Sequence, residues 1–402
     1  MKRPVTRTRA LAPLLAALLV AAACSSGTAR TSAGEGGSTT TGTSVPTASA
    51  TEVDPAVFAD VDAKLREQVQ AKGLNGAGLV IVDRERGRIH ESYVGDFGPD
   101  RVSLIASSSK MLTAGVLLRL ADQGVLDLDA PVAKVAPWGA AHPDITPAQL
   151  ISNSSGLPGL EDGLGIPDYL CQYIPSGTLQ ACAEKVFTTP QDDAQMIPPD
   201  TQFRYGGAQW QVAGAVAEAA SGKSWAELVR GTYVEPCGTG SLAYNNHFGV
   251  MSGAKGTFSY PAAFNADPAT LRPTENPNME GGAYVTPRDY AELLLMQLRG
   301  GRCGDTRVLS SDAVQRMQAD RIGEVYEGTT GSEGLEGYGM GWWVDRGQQG
   351  LVEDAGAYGT VPWIDRGRRY AAYLVVEDTF ETGSAMAREL RPMIDRAVKA
   401  SR

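Results

Sequence analysis

Ser107 and Lys110 are the residues of this chain whose types and spacing best fit covalent chemistry. They bracket the segment Ser107-Ser108-Ser109-Lys110, and an apolar run over residues 111–120 follows. If this run is helical, residues three apart share one face and their side chains meet. A half-buried lysine can then take the serine proton, because burial disfavours its charged form. The pattern predicts a serine nucleophile for acyl transfer, with the positive helix end beside the developing oxyanion.

A second S-x-x-K sequence shows that the motif alone is not decisive. Ser252-Gly253-Ala254-Lys255 has the same spacing, but it lies among glycines and a proline with no helical period behind it. We interpret this copy as a loop. For the first copy, a serine-capped helix with an exposed lysine stays open as the alternative.

Other catalytic patterns are weak in this sequence. No G-x-S-x-G segment is present, and His90, His142 and His247 stand alone, which argues against a Ser-His-Asp hydrolase. The Cys and His spacing suggests no metal site. The glycines over residues 337–341 lead into Trp342-Trp343 and not into a helix, so they do not predict a nucleotide loop. No cofactor is predicted.

Four further segments agree in order with one known family. They are Ala121–Val132, Ile145–Pro158, Phe203–Gly207 and Gly281–Asp289. Together with the first S-x-x-K segment, they resemble the serine β-lactamase-like family of class C β-lactamases, D,D-peptidases and related esterases, from about residue 55 to the C-terminus. The resemblance implies an active site in the crevice between two lobes.

The resemblance implies that Tyr205 is a second base, and this sequence departs from the family's pattern two residues later. Tyr205 stands where the family has the tyrosine of Tyr-x-Asn, and a phenol near a lysine ammonium is expected to have a lowered pKa. Gly207 replaces the family's asparagine, which helps to hold substrate and lysine. We therefore expect Gly207 to lie among the substrate-binding residues, with substrate orientation depending on other groups.

Asp354-Ala355-Gly356 corresponds best to the family's third element, a Lys-Thr-Gly or His-x-Gly on a strand edge. Gly356 is expected to let substrate approach the backbone, and the Ala357 amide to join that of Ser107 as oxyanion donor. Asp354 places an anion where most relatives meet a substrate carboxylate with a cation or an imidazole. If Asp354 faces the substrate, we expect a substrate that lacks a carboxylate. The alternative is that Asp354 pairs with a neighbouring basic group or points away from the substrate.

The predicted secondary structure places these residues in an α+β domain. The patterns predict a helix over residues 56–72, strands over 78–82 and 89–95, further strands over 338–345, 359–365 and 370–376, and a final helix over 384–399. Strands at both ends and helices between them predict an antiparallel sheet built from both termini with helices on its faces. In residues 53–402, the sheet lobe covers about 53–115 and 335–402, and a mainly helical lobe covers about 116–334.

The N-terminal residues indicate export. Four basic residues precede an apolar core over residues 10–20, and Ala21-Ala22-Ala23-Cys24 follows. We expect a lipoprotein signal over residues 1–23 with lipidation of Cys24, or else ordinary cleavage nearby. Residues 24–52 are rich in Ser, Thr and Gly and are expected to form a flexible tether. The protein would then sit on the outer face of the cell membrane.

Cysteines and charge agree with that compartment. Cys171, Cys182, Cys237 and Cys303 predict disulfides, with free buried thiols as the alternative; the sequence does not fix the pairing, although the first two would close a short loop. Removing residues 1–23 takes away four basic residues and changes the formal net charge from −10 to −14. Such acidity is unsuited to nucleic-acid binding.

The sequence thus predicts a membrane-tethered serine hydrolase that forms an acyl-enzyme on an ester or amide, taking a small molecule or peptide as substrate. The first alternative is a D,D-carboxypeptidase or β-lactamase. The second is a catalytically idle member that binds envelope peptides or glycan. Protein partners are not predicted.

Overall fold

The structure is a computed structural model that describes residues 53–248, 260–323 and 337–402. Cys24, the predicted signal and tether, and the second S-x-x-K segment with Ser252 lie outside these ranges. Among the described residues, no helix combines the length and apolar character needed to cross a membrane.

A seven-stranded antiparallel sheet is the central layer, in the order β2-β1-β12-β11-β10-β9-β8. Its strands are β1 (Gly76–Asp83), β2 (Gly87–Gly95), β8 (Gly337–Tyr338), β9 (Trp343–Val344), β10 (Leu351–Glu353), β11 (Thr360–Asp365) and β12 (Tyr370–Val375). The N-terminal β1 pairs with the C-terminal β12, with Val80 opposite Tyr373. The predicted α+β fold, with a sheet built from both ends of the chain, is confirmed.

Helices cover both faces of this sheet. The helices are α1 (Ala59–Lys72), α2 (Lys110–Asp122), α3 (Pro147–Leu150), α4 (Leu160–Gly163), α5 (Leu179–Thr188), α6 (Gly207–Ser221), α7 (Trp225–Val229), α8 (Glu235–Cys237), α9 (Pro287–Leu298), α10 (Ser311–Gln318) and α11 (Phe380–Ala400). On β1, Leu79 and Ile81 pack with α1 and α11, whereas Val80 and Val82 pack with the larger core that holds α2, α6 and α9. The period-2 alternation of a strand explains this division, because all eight residues of β1 are buried.

A small sheet supports the start of α2. Its strands are β3 (Ser103–Leu104), β5 (Ala283–Val285) and β4 (Ala243–Tyr244), in that order, and β6 (Arg302–Cys303) pairs separately with β7 (Thr306–Arg307). Leu104 pairs with Tyr284, which fixes the position where the chain leaves β3 and turns into α2.

The prediction of one continuous strand over residues 338–345 is wrong. The chain forms two short strands, β8 and β9, around a turn in which Gly341 has φ of +80°. A Cβ on Gly341 would lie 2.8 Å from the carbonyl oxygen of Lys110, so the turn brings β8 and β9 against the start of α2.

Two disulfides link the cysteines that the sequence left unpaired. Cys171 is joined to Cys182, and Cys237 is joined to Cys303. The first bridge ties the 3-10 helix Pro167–Tyr173 to α5, and the second ties α8 to β6. The predicted disulfides are therefore present, and the short loop is closed as expected.

Candidate active site

Ser107 lies in a strained turn between β3 and α2. Residues Ala106–Ser109 form a 3-10 helix, and Ala106 adopts φ of +45°, a conformation that costs a non-glycine residue about 1–2 kcal/mol. The three serines then differ sharply. Ser107 is partly exposed, whereas Ser108 donates to the Asp354 carbonyl at 2.7 Å and Ser109 donates to the Ala106 carbonyl at 2.7 Å, both fully buried. Only Ser107 of the three presents its hydroxyl to a cavity.

Lys110 is fully buried and donates to three oxygens. Its Nζ lies 3.0 Å from Ser107 Oγ, 3.2 Å from the Glu280 carbonyl oxygen and 3.3 Å from Glu280 Oε2. The structure therefore brings Ser107 and Lys110 together as the spacing predicted. The expectation that Lys110 is a neutral amine is wrong for the resting site. Burial opposes the ammonium, but the oxygens of Tyr205, Glu280 and Asp354 outweigh it and raise the pKa of Lys110.

Tyr205 completes a triangle with these two residues. It lies just before α6, its ring centroid is 4.6 Å from Lys110 Nζ, and its hydroxyl lies close to Lys110 and Ser107. Its ring stacks on Trp343 of β9 at 5.5 Å between centroids. Contrary to the expected lowering, burial raises the pKa of Tyr205, although Lys110 acts in the opposite direction. The resting phenol is neutral.

Two residues of the cavity wall, Ser107 and Ala357, have backbone amides without a hydrogen-bond acceptor among the described residues. Ser107 is the second residue of its 3-10 helix, so its N–H has no acceptor within the helix. Among the described residues, the Ala357 amide makes no hydrogen bond, and Ala357 and Ser107 both line the cavity. This is the arrangement that an oxyanion requires.

Gly356 has a different role from the one expected. It is buried and does not line the cavity. A Cβ there would lie 2.2 Å from the Ile105 carbonyl oxygen and 3.1 Å from Ser108 Oγ. The close approach is thus between the β10–β11 loop and the Ser107 turn, not between backbone and substrate. The missing side chain lets this loop pack closely against the Ser107 turn, with Ala357 on the cavity wall.

Asp354 does not face the cavity, so its predicted contact with substrate is wrong. It is fully buried, and its carboxyl oxygens make no hydrogen bond of good geometry within the described part of the chain. Burial raises the pKa of Asp354 well above its usual range, while Lys110 and the Met111 amide favour the ionised form. The preceding residue, Glu353, lines the cavity instead, because successive side chains of an extended segment point to opposite sides.

Gly207 does not line the cavity either; it provides space for other side chains. It is buried at the start of α6, and a Cβ there would lie 2.1 Å from Glu280 Oε1 and 2.3 Å from Gln172 Oε1. The expected direct role in substrate binding is therefore corrected. A side chain at position 207 and the Glu280 carboxylate would compete for one volume.

Glu280 is the site residue that the sequence reasoning missed. Besides the contacts that Glu280 makes with Lys110, its Oε1 accepts a hydrogen bond from the Tyr173 hydroxyl at 3.0 Å. The residue is 7% exposed and lines the cavity. The sequence contained a signal for this residue, because an acidic side chain stands directly before Gly281-Gly282, the start of a segment that resembles the family.

The cavity at Ser107 has a volume of about 510 Å³ and an acidic wall. The described residues that line it are Ala106, Ser107, Gly159, Leu160, Glu161, Asp162, Tyr205, Phe248, Glu280, Trp343, Glu353, Ala355, Ala357 and Phe380. Four of these are acidic, and none is lysine, arginine or histidine. A larger cavity of about 990 Å³ beside Trp225 and Tyr244 contains no nucleophile paired with a base among its lining residues, so the chemistry identifies the smaller one.

The histidines take no part in this wall. His90 hydrogen-bonds with Asp62 at 2.7 Å, His142 meets Phe187 edge-on, and His247 is buried against Phe248 and Tyr358. In the described residues, no group of three or more His, Cys, Asp or Glu side chains is placed to hold a metal ion.

Several known proteins are similar to this chain. The Beta-lactamase family model matches residues 61–391. The chain is 29% identical to penicillin-binding protein 4 of Amycolatopsis lactamdurans over 60% of its length, and 27% identical to the D-alanyl-D-alanine-carboxypeptidase/endopeptidase AmpH of Escherichia coli K12 over 62%. Each match spans 62% of the relative's own length. The solved structure of EstCE1, a hydrolase with promiscuous acyltransferase activity, covers 86% of this chain and 99% of its own, with a TM-score of 0.67 and 20% identity.

Proposed function

The chain belongs to the beta-lactamase family of serine hydrolases, and we propose that it is an extracytoplasmic enzyme that cleaves an ester or amide through an acyl-enzyme on Ser107. The observation that carries this proposal is the 3.0 Å contact between Ser107 Oγ and Lys110 Nζ at the wall of a cavity. A nucleophile within hydrogen-bond reach of its proton acceptor is the arrangement that covalent catalysis requires.

The steps follow from the positions of the side chains. Ser107 Oγ attacks the carbonyl carbon and its proton passes to Lys110, while the carbonyl electron pair moves to an oxygen held by the amides of Ser107 and Ala357. Tyr205, whose hydroxyl lies close to both Lys110 and Ser107, relays a proton to the leaving group as the carbon–heteroatom bond breaks. A water molecule then enters, loses its proton to the same groups and releases the acid.

The acidic wall favours a substrate without a carboxylate beside the scissile bond. Glu161, Asp162, Glu280 and Glu353 line the cavity with no basic residue among the described lining. Because Lys110 pairs with Glu280 and Arg391 pairs with Glu353, the net negative charge of this wall comes from Glu161 and Asp162. Two like charges about 4 Å apart repel by about 4 kcal/mol at an effective dielectric near 20, and by about 1 kcal/mol in water. Because 1.4 kcal/mol is about tenfold in rate or affinity, even an intermediate value disfavours penicillins and D-alanyl-D-alanine peptides.

The test combines active-site labelling with a comparison of substrates. A fluorophosphonate should label Ser107, and Ser107→Ala should abolish labelling and lower turnover about a thousandfold or more. The matched control is Ser252→Ala in the second S-x-x-K segment, which should leave both intact. Nitrophenyl esters should be hydrolysed more efficiently than cephalosporins or D,D-peptides.

Three results would contradict parts of this proposal. Efficient β-lactam or D,D-peptide cleavage would favour the carboxypeptidase or β-lactamase alternative, as the name of the AmpH relative suggests. A folded protein with neither labelling nor turnover would favour an idle binding protein. For the location, Cys24→Ser should release the protein from the membrane fraction, and an unchanged fraction would argue against a lipid anchor at that residue.

A further inference from the structure

Glu280 accepts a hydrogen bond from Lys110, which is an ammonium in the resting site. A lysine ammonium has three N–H donors, and those of Lys110 are directed at Ser107 Oγ, the Glu280 carbonyl oxygen and Glu280 Oε2. Such an ammonium has no lone pair with which to accept the Ser107 proton. Lys110 must therefore release a proton before or while Ser107 attacks.

Of the three oxygens, only one is basic enough to receive that proton. The Ser107 hydroxyl is itself the proton donor of the reaction, and a peptide carbonyl is a very weak base. The Glu280 carboxylate lies 3.3 Å from Nζ and is held from its other oxygen by the Tyr173 hydroxyl at 3.0 Å. Tyr205 is a neutral phenol, and Asp354 makes no hydrogen bond with Lys110.

We propose that the Glu280 carboxylate is the acceptor of the Lys110 proton, so that the base of this enzyme is a Lys110–Glu280 pair. This rests on the proposed function of Ser107. As Ser107 Oγ bonds to the substrate carbon, its proton moves to Lys110 Nζ, and one Nζ proton moves to Glu280 Oε2. When the leaving group departs, it takes a proton from Lys110 through Tyr205, and Glu280 returns its proton to Lys110. No proton is gained or lost over the cycle.

The backbone around the pair is built to admit the carboxylate. Gly207 supplies no Cβ at the point that Glu280 Oε1 approaches, since an added Cβ would be only 2.1 Å away. Glu280 is 7% exposed, on the cavity side, so it is shielded from bulk water yet open to a small solute. The titratable groups that interact with Lys110 or Glu280 are Tyr173, Tyr205, Tyr338 and Asp354.

The first experiment is the pH dependence of kcat and KM for a nitrophenyl ester with Glu280→Gln. At pH 7, kcat should fall about a hundredfold, the scale of general base catalysis, while KM changes less than about threefold. The deficit should shrink as pH rises, because a Lys110 that has lost its proton to solvent needs no acceptor. Removing one anion also lowers the pKa of Lys110, which moves this recovery to lower pH.

Two controls keep the result specific. Glu218→Gln neutralises another partly buried glutamate, which accepts from the Trp225 amide away from the Ser107 cavity, and should leave the pH profile unchanged. Glu280→Ala should regain activity on addition of formate, because a small carboxylate can enter from the cavity, and the wild type should not respond.

The outcomes separate this proposal from the one on which it rests. An unchanged or higher kcat for Glu280→Gln at pH 7 would overturn it, as would a deficit that is constant with pH together with no rescue by formate. In either case the proposal for Ser107 stands as long as Ser107→Ala is inactive. An active Ser107→Ala protein would overturn both.

Discussion

The carboxylates of Glu353 and Asp354, neighbours in the chain, lie on opposite sides of the backbone at the end of β10. Glu353 lines the cavity and pairs with Arg391 of α11, whereas Asp354 is fully buried near Lys110 and the Met111 amide. The acid that lines the cavity is thus Glu353, one position before the predicted Asp354. The acids that line the cavity are Glu353, Glu161, Asp162 and Glu280, of which Glu353 is paired with Arg391 and Glu280 with Lys110.

This relationship predicts which acid changes substrate preference. Glu353→Gln removes a cavity anion and leaves Arg391 unpaired, which should favour carboxylate-bearing substrates over neutral esters by about 1 kcal/mol, or about fivefold, in a water-accessible site. Asp354→Asn should leave that ratio unchanged. The measurement is kcat/KM for a nitrophenyl ester against a cephalosporin. A shift with Asp354→Asn and none with Glu353→Gln would refute the placement of the two acids.

Gly207→Ala should lower activity by displacing Glu280. The added Cβ requires the Glu280 carboxylate and the Gln172 amide to move, and both are flexible ends, so stability should change little. In a double-mutant cycle with Glu280→Gln, we expect the losses in kcat to be non-additive by at least about 1 kcal/mol. Gly231→Ala, where an added Cβ meets nothing within 4 Å, is the control. Strict additivity would contradict a shared mechanism.

The two disulfides should contribute unequally to stability. Loop-closure entropy predicts a loss of about 4 kcal/mol for the 66-residue span of Cys237–Cys303, and about 3 kcal/mol for the 11-residue span of Cys171–Cys182. Paired Cys→Ser substitutions and urea unfolding measure both values. Free thiols found by mass analysis of the unreduced protein would contradict the bridges themselves.

His247 should make the folded state less stable as pH falls. Burial lowers the pKa of His247 to about 3, whereas the unfolded side chain titrates near 6.5. Between these values the unfolded state binds the extra proton, so stability is complete above about pH 6.5 and decreases below it, by about 2 kcal/mol at pH 5. His247→Phe should reduce this pH dependence of urea unfolding. His142→Gln, at the edge of Phe187, should leave it in place.

Much of the framework followed from the sequence because it depends on local patterns. The apolar run after Ser107 predicted α2, the helical period ahead of the first strand predicted α1, and the continuous apolar run over residues 78–82 predicted β1. The i, i+3 geometry of a helical turn is also local, so the meeting of Ser107 and Lys110 could be predicted from their spacing. Strands at both ends of the chain were enough to indicate the α+β class.

The tertiary structure decided the electrostatics. Whether Asp354 or Glu353 faces the cavity depends on the register of β10, and a shift of one residue exchanges the two sides. The protonation of Lys110 depends on Glu280, which is 170 positions away in the chain and reaches it only because Gly207 leaves room. Sequence spacing fixes contacts within one helix, but charges from distant segments act through space, so only the folded chain determines which of them surround the nucleophile.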